Sequence, residues 1–207
     1  ALHQTRDSLG LTAEQTRVLE RHHTRYRREG AALDAAKKKR LATIIERLAT
    51  LGTDFSQNVL ADEQSYTMEL NGEADLAGLP DFVREAAAAA AEERGLNGKH
   101  VITLQRSSVE PFLQFSSRRD LREKAFRAWI ARGDNNGKTD NKAIIAETMT
   151  LRIERATLLG YPTFAHYRLD DAMAKTPEAV RALLDRVWVP ARRRAMADRD
   201  AMQAMVQ

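Results

Sequence analysis

The chain has 207 residues, no cysteine and a net charge of +4, from 33 basic and 29 acidic side chains. Without cysteine there is no disulfide, no thiolate metal site and no cysteine nucleophile. The two signs of charge are interleaved, as over residues 118–124, so the single-sign stripe of a nucleic-acid surface is missing.

Thr12, with Gln15 three residues on, forms a capping box and predicts a helix that stops at Gly30. Asp34 can cap the next helix. Its Leu41, Ile44, Ile45, Leu48, Leu51, Phe55 and Val59 recur every three or four residues, which predicts one continuous buried stripe. The helical signal fades at Ala61 and Asp62. Two short strands follow from the sequence, Thr67 to Leu70 and Val101 to Leu104, expected to pair as one antiparallel ribbon and to be the only β-structure. Between them Leu79 and Pro80 open a helix whose body is the alanine run 86–91 and whose end is Gly95.

Residues 108–115 predict a short helical turn around Pro111. Ser117 followed by Asp120 reads as a cap for a helix carrying Leu121, Ala125, Phe126, Trp129 and Ile130, with Gly133 as its stop. Residues 133–140 are the clearest loop. A helix from about Asn141 should turn Ile144, Ile145, Met149 and Leu158 inward and end at Gly160, where Pro162 prevents continuation. Thr176, Pro177 and Glu178 begin the last helix, in which Pro190 should leave a kink. The fold class expected is all-α with one short antiparallel β-ribbon.

The motifs that carry chemistry fall short. Residues 133–139 resemble a phosphate loop, but only Asp134, Asn135 and Asn136 stand between Gly133 and Gly137-Lys138-Thr139, where the motif needs four residues. As a calcium loop the same stretch puts the cation Lys138 at a ligand position. His22 and His23 are neighbours that diverge by about 100° on a helix, so they do not chelate one ion. His166 and Asp170 are four apart and could share a face, but two ligands make no catalytic zinc site, and a surface hydrogen bond is the expectation. The neighbours Glu92 and Glu93, and Asp170 and Asp171, should diverge rather than act as a dyad. Trp129 and Phe126 sit at core positions of their helix. No H-E-x-x-H occurs, and no catalytic, cofactor-binding or metal-ligating residue is expected in this chain. No apolar run is long enough to cross a membrane as a helix. The first residues suit neither a signal peptide nor a natural start, which suggests a chain cut from something longer.

Several stretches nevertheless resemble the thimet-oligopeptidase and neurolysin family of zinc metallopeptidases, in its bacterial peptidyl-dipeptidase (dipeptidyl carboxypeptidase) branch. They are Asn58-Val59-Leu60, residues 75–80 (Asp-Leu-Ala-Gly-Leu-Pro), residues 117–125 (Ser-Arg-Arg-Asp-Leu-Arg-Glu-Lys-Ala), Leu151-Arg152 with Glu154-Arg155-Ala156, Leu158-Leu159-Gly160-Tyr161, and residues 173–180. The resemblance implies the helical part of a neurolysin-like fold with a deep channel that excludes folded proteins. It implies a zinc ion held by H-E-x-x-H and a later Glu, activating water for removal of C-terminal dipeptides from oligopeptides. That motif lies downstream of everything matched, so no catalytic or zinc-ligand residue maps onto these positions. Residues 1–207 are thus expected to be one helical segment of a larger peptidase, with a possible sub-boundary at 133–140. The segment should serve as channel wall, be inactive alone, and pair with the missing catalytic domain. Its expected compartment is the cytoplasm, with neither nucleic acid nor membrane as partner. The alternative is a stand-alone helical binding or scaffold module without enzymatic activity.

Overall fold

The structure is a computed structural model and describes residues 2–206. It is mainly helical, with a 3-10 turn at Arg6–Ser8 and eight α-helices among the described residues. The order is α1 (Ala13–Arg28), α2 (Ala35–Ser65), β1 (Met68–Leu70), α3 (Asp81–Glu92), β2 (His100–Ile102), α4 (Arg106–Phe115), α5 (Arg119–Ile130), α6 (Lys142–Leu158), α7 (Phe164–Leu169) and α8 (Pro177–Val206). The chain divides into two compact units. One takes the residues up to Ile45 and those from Thr150 on; the other is Glu46–Met149.

The second unit holds the better-defined core. The strands β1 and β2 pair antiparallel as expected, Met68 opposite Ile102 and Leu70 opposite His100. Strand alternation turns Met68 and Leu70 inward. Glu69 points outward, where it accepts from Lys99 Nζ at 2.5 Å. Helix α3 buries Val83, Ala87 and Ala91, one per turn, against the ribbon and α4. Alanine is the best helix former and the smallest side chain here, so the helix forms readily and packs close. Phe112 of α4 and Ala125 of α5 complete the core, both fully buried.

In the first unit the Thr12 capping box is present in full. Gln15 N–H donates to Thr12 Oγ1 at 3.2 Å, and Thr12 N–H donates to Gln15 Oε1 at 3.0 Å. Asp34 Oδ1 accepts from Lys37 N–H at 2.9 Å and so caps α2. Gly160 has φ +82 and closes α6, with Tyr161 N–H donating to Ala156 O at 2.9 Å. A side chain at Gly160 would meet open space. Gly160→Val is therefore expected to cost only the left-handed backbone penalty, about 1–2 kcal/mol. Urea denaturation checks this; a change within measurement error would mean the residue is not held at positive φ in solution.

Several expectations are corrected. Helix α2 does not fade at Ala61 but runs on to Ser65. Its buried stripe is narrower than the spacing suggested: Leu41, Ile44 and Leu51 are buried, while Ile45 and Phe55 are 43% and 40% exposed. Ile44 and Ile45 are adjacent and about 100° apart, so one face cannot bury both. On α6, Leu151 and Ala156 are buried, whereas Ile145 and Met149 are half exposed. Phe126, read as core, is 46% exposed, while Trp129 packs on the core as expected. Residues 106–115 form a regular helix through Pro111 rather than a short turn. Pro80 is the residue before α3 instead of its first. Ser117 is not a cap: Arg118 is the residue before α5 and no side chain caps the helix, while Ser117 N–H donates to Ala77 O at 2.9 Å. Helix α7 went unforeseen, and α8 continues as one element through Pro190.

Candidate functional site

Two stretches that carry the resemblance meet inside the Glu46–Met149 unit. Asp75, nearly buried, accepts from Asn71 N–H at 2.8 Å and is ion-paired with Arg118. The same guanidinium reaches Asp120 at 2.7 Å. Gly78 has φ +83, and a Cβ there would lie 2.5 Å from Phe115 O. Only glycine lets the 75–80 loop come this close to the end of α4. These contacts fix backbone; they present no reactive group to solvent.

The loop 133–140 is better organised than a bare solvated turn. Asp62, near the end of α2, accepts from Gly133 N–H at 2.7 Å, Asn135 Nδ2 at 2.9 Å and Thr139 Oγ1 at 2.5 Å. Asn141, fully buried, donates Nδ2 to Phe55 O at 3.1 Å and accepts from Asn58 Nδ2 at 2.9 Å. Asp140 accepts from the Lys142 ammonium at 2.6 Å, and from Lys142 N–H at 2.9 Å and Asn136 N–H at 2.7 Å. These bonds, the ammonium first, lower its pKa from 3.8 to about 2. A depressed carboxyl stabilises the fold above its unfolded pKa, and the contribution is lost as pH falls from about 3.8 toward 2. Carbon-13 titration of Asp140 is expected to show a midpoint near 2, shifted toward 3.8 in Lys142→Met; a wild-type midpoint near 3.8 would contradict the arrangement. Lys142 Nζ also reaches Asp134 at 2.5 Å, so an ammonium occupies the space a cation would need.

In the first unit the polar centre is Arg28. Its side chain is 9% exposed, and it reaches Asp170 at 3.2 Å and Asp171 at 3.1 Å. It donates to Tyr167 O at 2.7 Å, and its guanidinium lies 4.6 Å from the centre of the Tyr167 ring. Tyr161 donates to Asp170 Oδ2 at 2.7 Å. That bond, ahead of Arg28, holds the Asp170 carboxyl below its ordinary range. Burial first, then the hydrogen bond to Asp170, pushes the Tyr161 hydroxyl up. The acid pair expected to diverge thus converges on one cation, because α7 ends at Leu169 and both residues lie beyond it. His166 and Asp170 do not share a ligand: His166 Nδ1 lies 2.8 Å from Thr163 Oγ1. His23 stacks on His3 at 3.6 Å. Among the described residues no group of three His, Asp or Glu could hold a metal ion.

What remains as a candidate surface is α8. All residues from 181 to 206 are exposed, including Leu183, Leu184, Val187 and Trp188. The spacing rules that located the helix gave no sign that it would be bare on every side. No helix among the described residues is long and apolar enough to cross a membrane.

Known proteins give this arrangement its context. The family described as Peptidase family M3 matches residues 112–207, from α4 to the end of α8. The dipeptidyl carboxypeptidase of Escherichia coli (strain K12) is 37% identical over 206 residues, which cover 100% of this chain and 30% of that protein. The dipeptidyl carboxypeptidase of Salmonella typhimurium is 32% identical over 206 residues, with the same coverage of 100% and 30%. Oligopeptidase A of Haemophilus influenzae is 34% identical over 189 residues, covering 89% of this chain and 28% of that protein. The chain belongs to peptidase family M3, and its likeness to dipeptidyl carboxypeptidases runs along its whole length. It spans about 30% of the length of these curated relatives.

Proposed function

We propose that this chain is a non-catalytic, channel-wall segment of a zinc-dependent peptidyl-dipeptidase that removes C-terminal dipeptides from oligopeptides. The observation that carries the reading is the 37% identity to a dipeptidyl carboxypeptidase along the entire chain, over a sequence that contains no H-E-x-x-H. The residues present do not fit a zinc ion. Cysteine is absent, and no three described His, Asp or Glu side chains converge. A catalytic zinc needs three protein ligands and an open position for water. In this reading the ligands and the general base belong to the remainder of a longer protein, and the helices supply scaffold and restrict access to peptides. Bare α8 supports the reading, since its exposed Leu183, Leu184, Val187 and Trp188 mark a surface that another part covers. The partners are an oligopeptide substrate and the catalytic part of the same protein. The compartment is the cytoplasm, in keeping with a cysteine-free composition.

The test is dialysis of the purified chain against zinc, followed by assay of dipeptide release from a short blocked peptide. No turnover and no stoichiometric zinc are expected from the chain alone. Turnover is expected when the zinc-bearing remainder of a dipeptidyl carboxypeptidase relative is added. Turnover by this chain alone would overturn the proposal. Failure of any catalytic part to respond to it would favour a stand-alone binding module.

A further inference from the structure

In an Asn-Gly dipeptide the glycine amide can attack the asparagine side chain, because a residue without Cβ does not crowd the five-membered ring that forms. The chain has three such dipeptides, at 71–72, 97–98 and 136–137. All three are exposed and lie outside helices and strands, so sequence and exposure do not rank them. Their hydrogen bonds do.

Asn136 is held on both sides. Its N–H donates to Asp140 Oδ2 at 2.7 Å, and the N–H of Gly137, the group that would attack, donates to Asn135 Oδ1 at 2.9 Å. A Cβ at Gly137 would lie 3.1 Å from that same oxygen, so the approach is also crowded. Asn71 is held on one side. Its N–H donates at 2.8 Å to Asp75, which is nearly buried and paired with Arg118, and Asp75 N–H donates to Gly72 O at 3.2 Å. Asn97 sits in the turn between α3 and β2, where Lys99 N–H donates to Leu96 O at 3.1 Å. Neither the Asn97 side chain nor Gly98 N–H meets a partner among the described residues. A Cβ at Gly98 would meet nothing within 4 Å.

We propose that Asn97 is a site of spontaneous deamidation to aspartate and isoaspartate, with Asn71 slower and Asn136 protected. The Gly98 nitrogen attacks Asn97 Cγ. The N–Cγ bond forms, the Cγ–Nδ2 bond breaks, and the amide proton leaves with the departing ammonia, so that a succinimide remains. One water then opens the ring. Opening at Cγ gives aspartate; opening at the backbone carbonyl gives isoaspartate, whose main chain runs through Cβ and Cγ. Either product carries one new negative charge. The isoaspartyl product also adds an atom to the main chain three residues before His100, where β2 begins. That extra length opens the Leu96-to-Lys99 turn and loosens the end of the ribbon where Leu70 pairs with His100.

The purified chain would be aged at mildly alkaline pH and sampled by tryptic peptide mass spectrometry. Trypsin isolates Asn97 in residues 95–99 and Asn136 in residues 133–138. In the folded chain Asn97 is expected to convert about tenfold faster than Asn136, since the two bonds that hold Asn136 must open before it reacts. In guanidinium chloride the two should convert at similar rates. Asn135→Ala frees the Gly137 amide and should speed conversion at Asn136 toward the rate at Asn97. An enzyme that methylates isoaspartyl carboxyls should label residues 95–99 of the aged chain, and no label is expected there in Asn97→Gln. Amide exchange over His100–Ile102 should be faster in the aged chain than in Asn97→Gln aged alongside it. Equal rates at Asn97 and Asn136 in the folded chain would overturn the inference. So would the same difference persisting in guanidinium chloride, or no change at Asn136 in Asn135→Ala. Unchanged amide exchange in the converted chain would overturn the link to the ribbon.

Discussion

Phe112→Ala is expected to destabilise the Glu46–Met149 unit by about 3–5 kcal/mol. Phe112 is fully buried and belongs to the one core cluster of that unit, with Leu76, Val83, Ile102 and Val109. Removing the ring forfeits its transfer free energy and leaves a void that rigid neighbours on α3, α4 and the ribbon fill only in part. Phe112→Leu keeps most of the volume and should cost clearly less. Urea unfolding followed by far-ultraviolet circular dichroism gives both values. A loss below about 1 kcal/mol for the alanine variant would mean that the site collapses freely, contrary to a close-packed core.

Arg28→Ala is expected to cost about 2–4 kcal/mol in the other unit. Three losses contribute. The side chain is nearly buried, so its aliphatic stem leaves a cavity. The bond to Tyr167 O and the stacking on the Tyr167 ring disappear. Asp170 and Asp171 lose their shared cation, but at 39% and 57% exposure water partly replaces it, which keeps the total below that of a fully buried pair. Arg28→Lys should recover only part of the loss, since an ammonium cannot fork to two carboxylates and lie flat on a ring. The Asp170 pKa reports on the same network. Tyr161→Phe and Arg28→Ala should each raise it, since each removes a group that holds the carboxyl low. An unchanged Asp170 titration in either variant would contradict the network.

Local signals in the sequence were reliable where they depend on a few consecutive residues. The Thr12 box, the Asp34 cap and the Gly160 stop are each decided by neighbours in the chain, and each is present. Ser117 fails because the helix begins one residue later than its signature implies, with Arg118 in the N-cap position. The buried stripe of α2 was overdrawn because periodicity marks which residues could be buried, while the packing partner decides which are. The Arg28 cluster was invisible because Asp170 and Asp171 were read as a helical pair, whereas they lie past the end of a six-residue helix that was itself missed. The peptidase affinity came from short stretches in order along the chain. Two of them, around Asp75 and Arg118, meet through an ion pair.

The order in which the second unit assembles follows from where its core residues lie. Every member of the cluster, and every side chain packed against it, falls between Tyr66 and Trp129. The ribbon, α3, α4 and α5 follow one another without a break, so the core closes within one continuous stretch of chain and needs no contact to the distant ends. Short-range closure is the property that speeds folding. On a ribosome this core can collapse once Trp129 has emerged, before α6 is available.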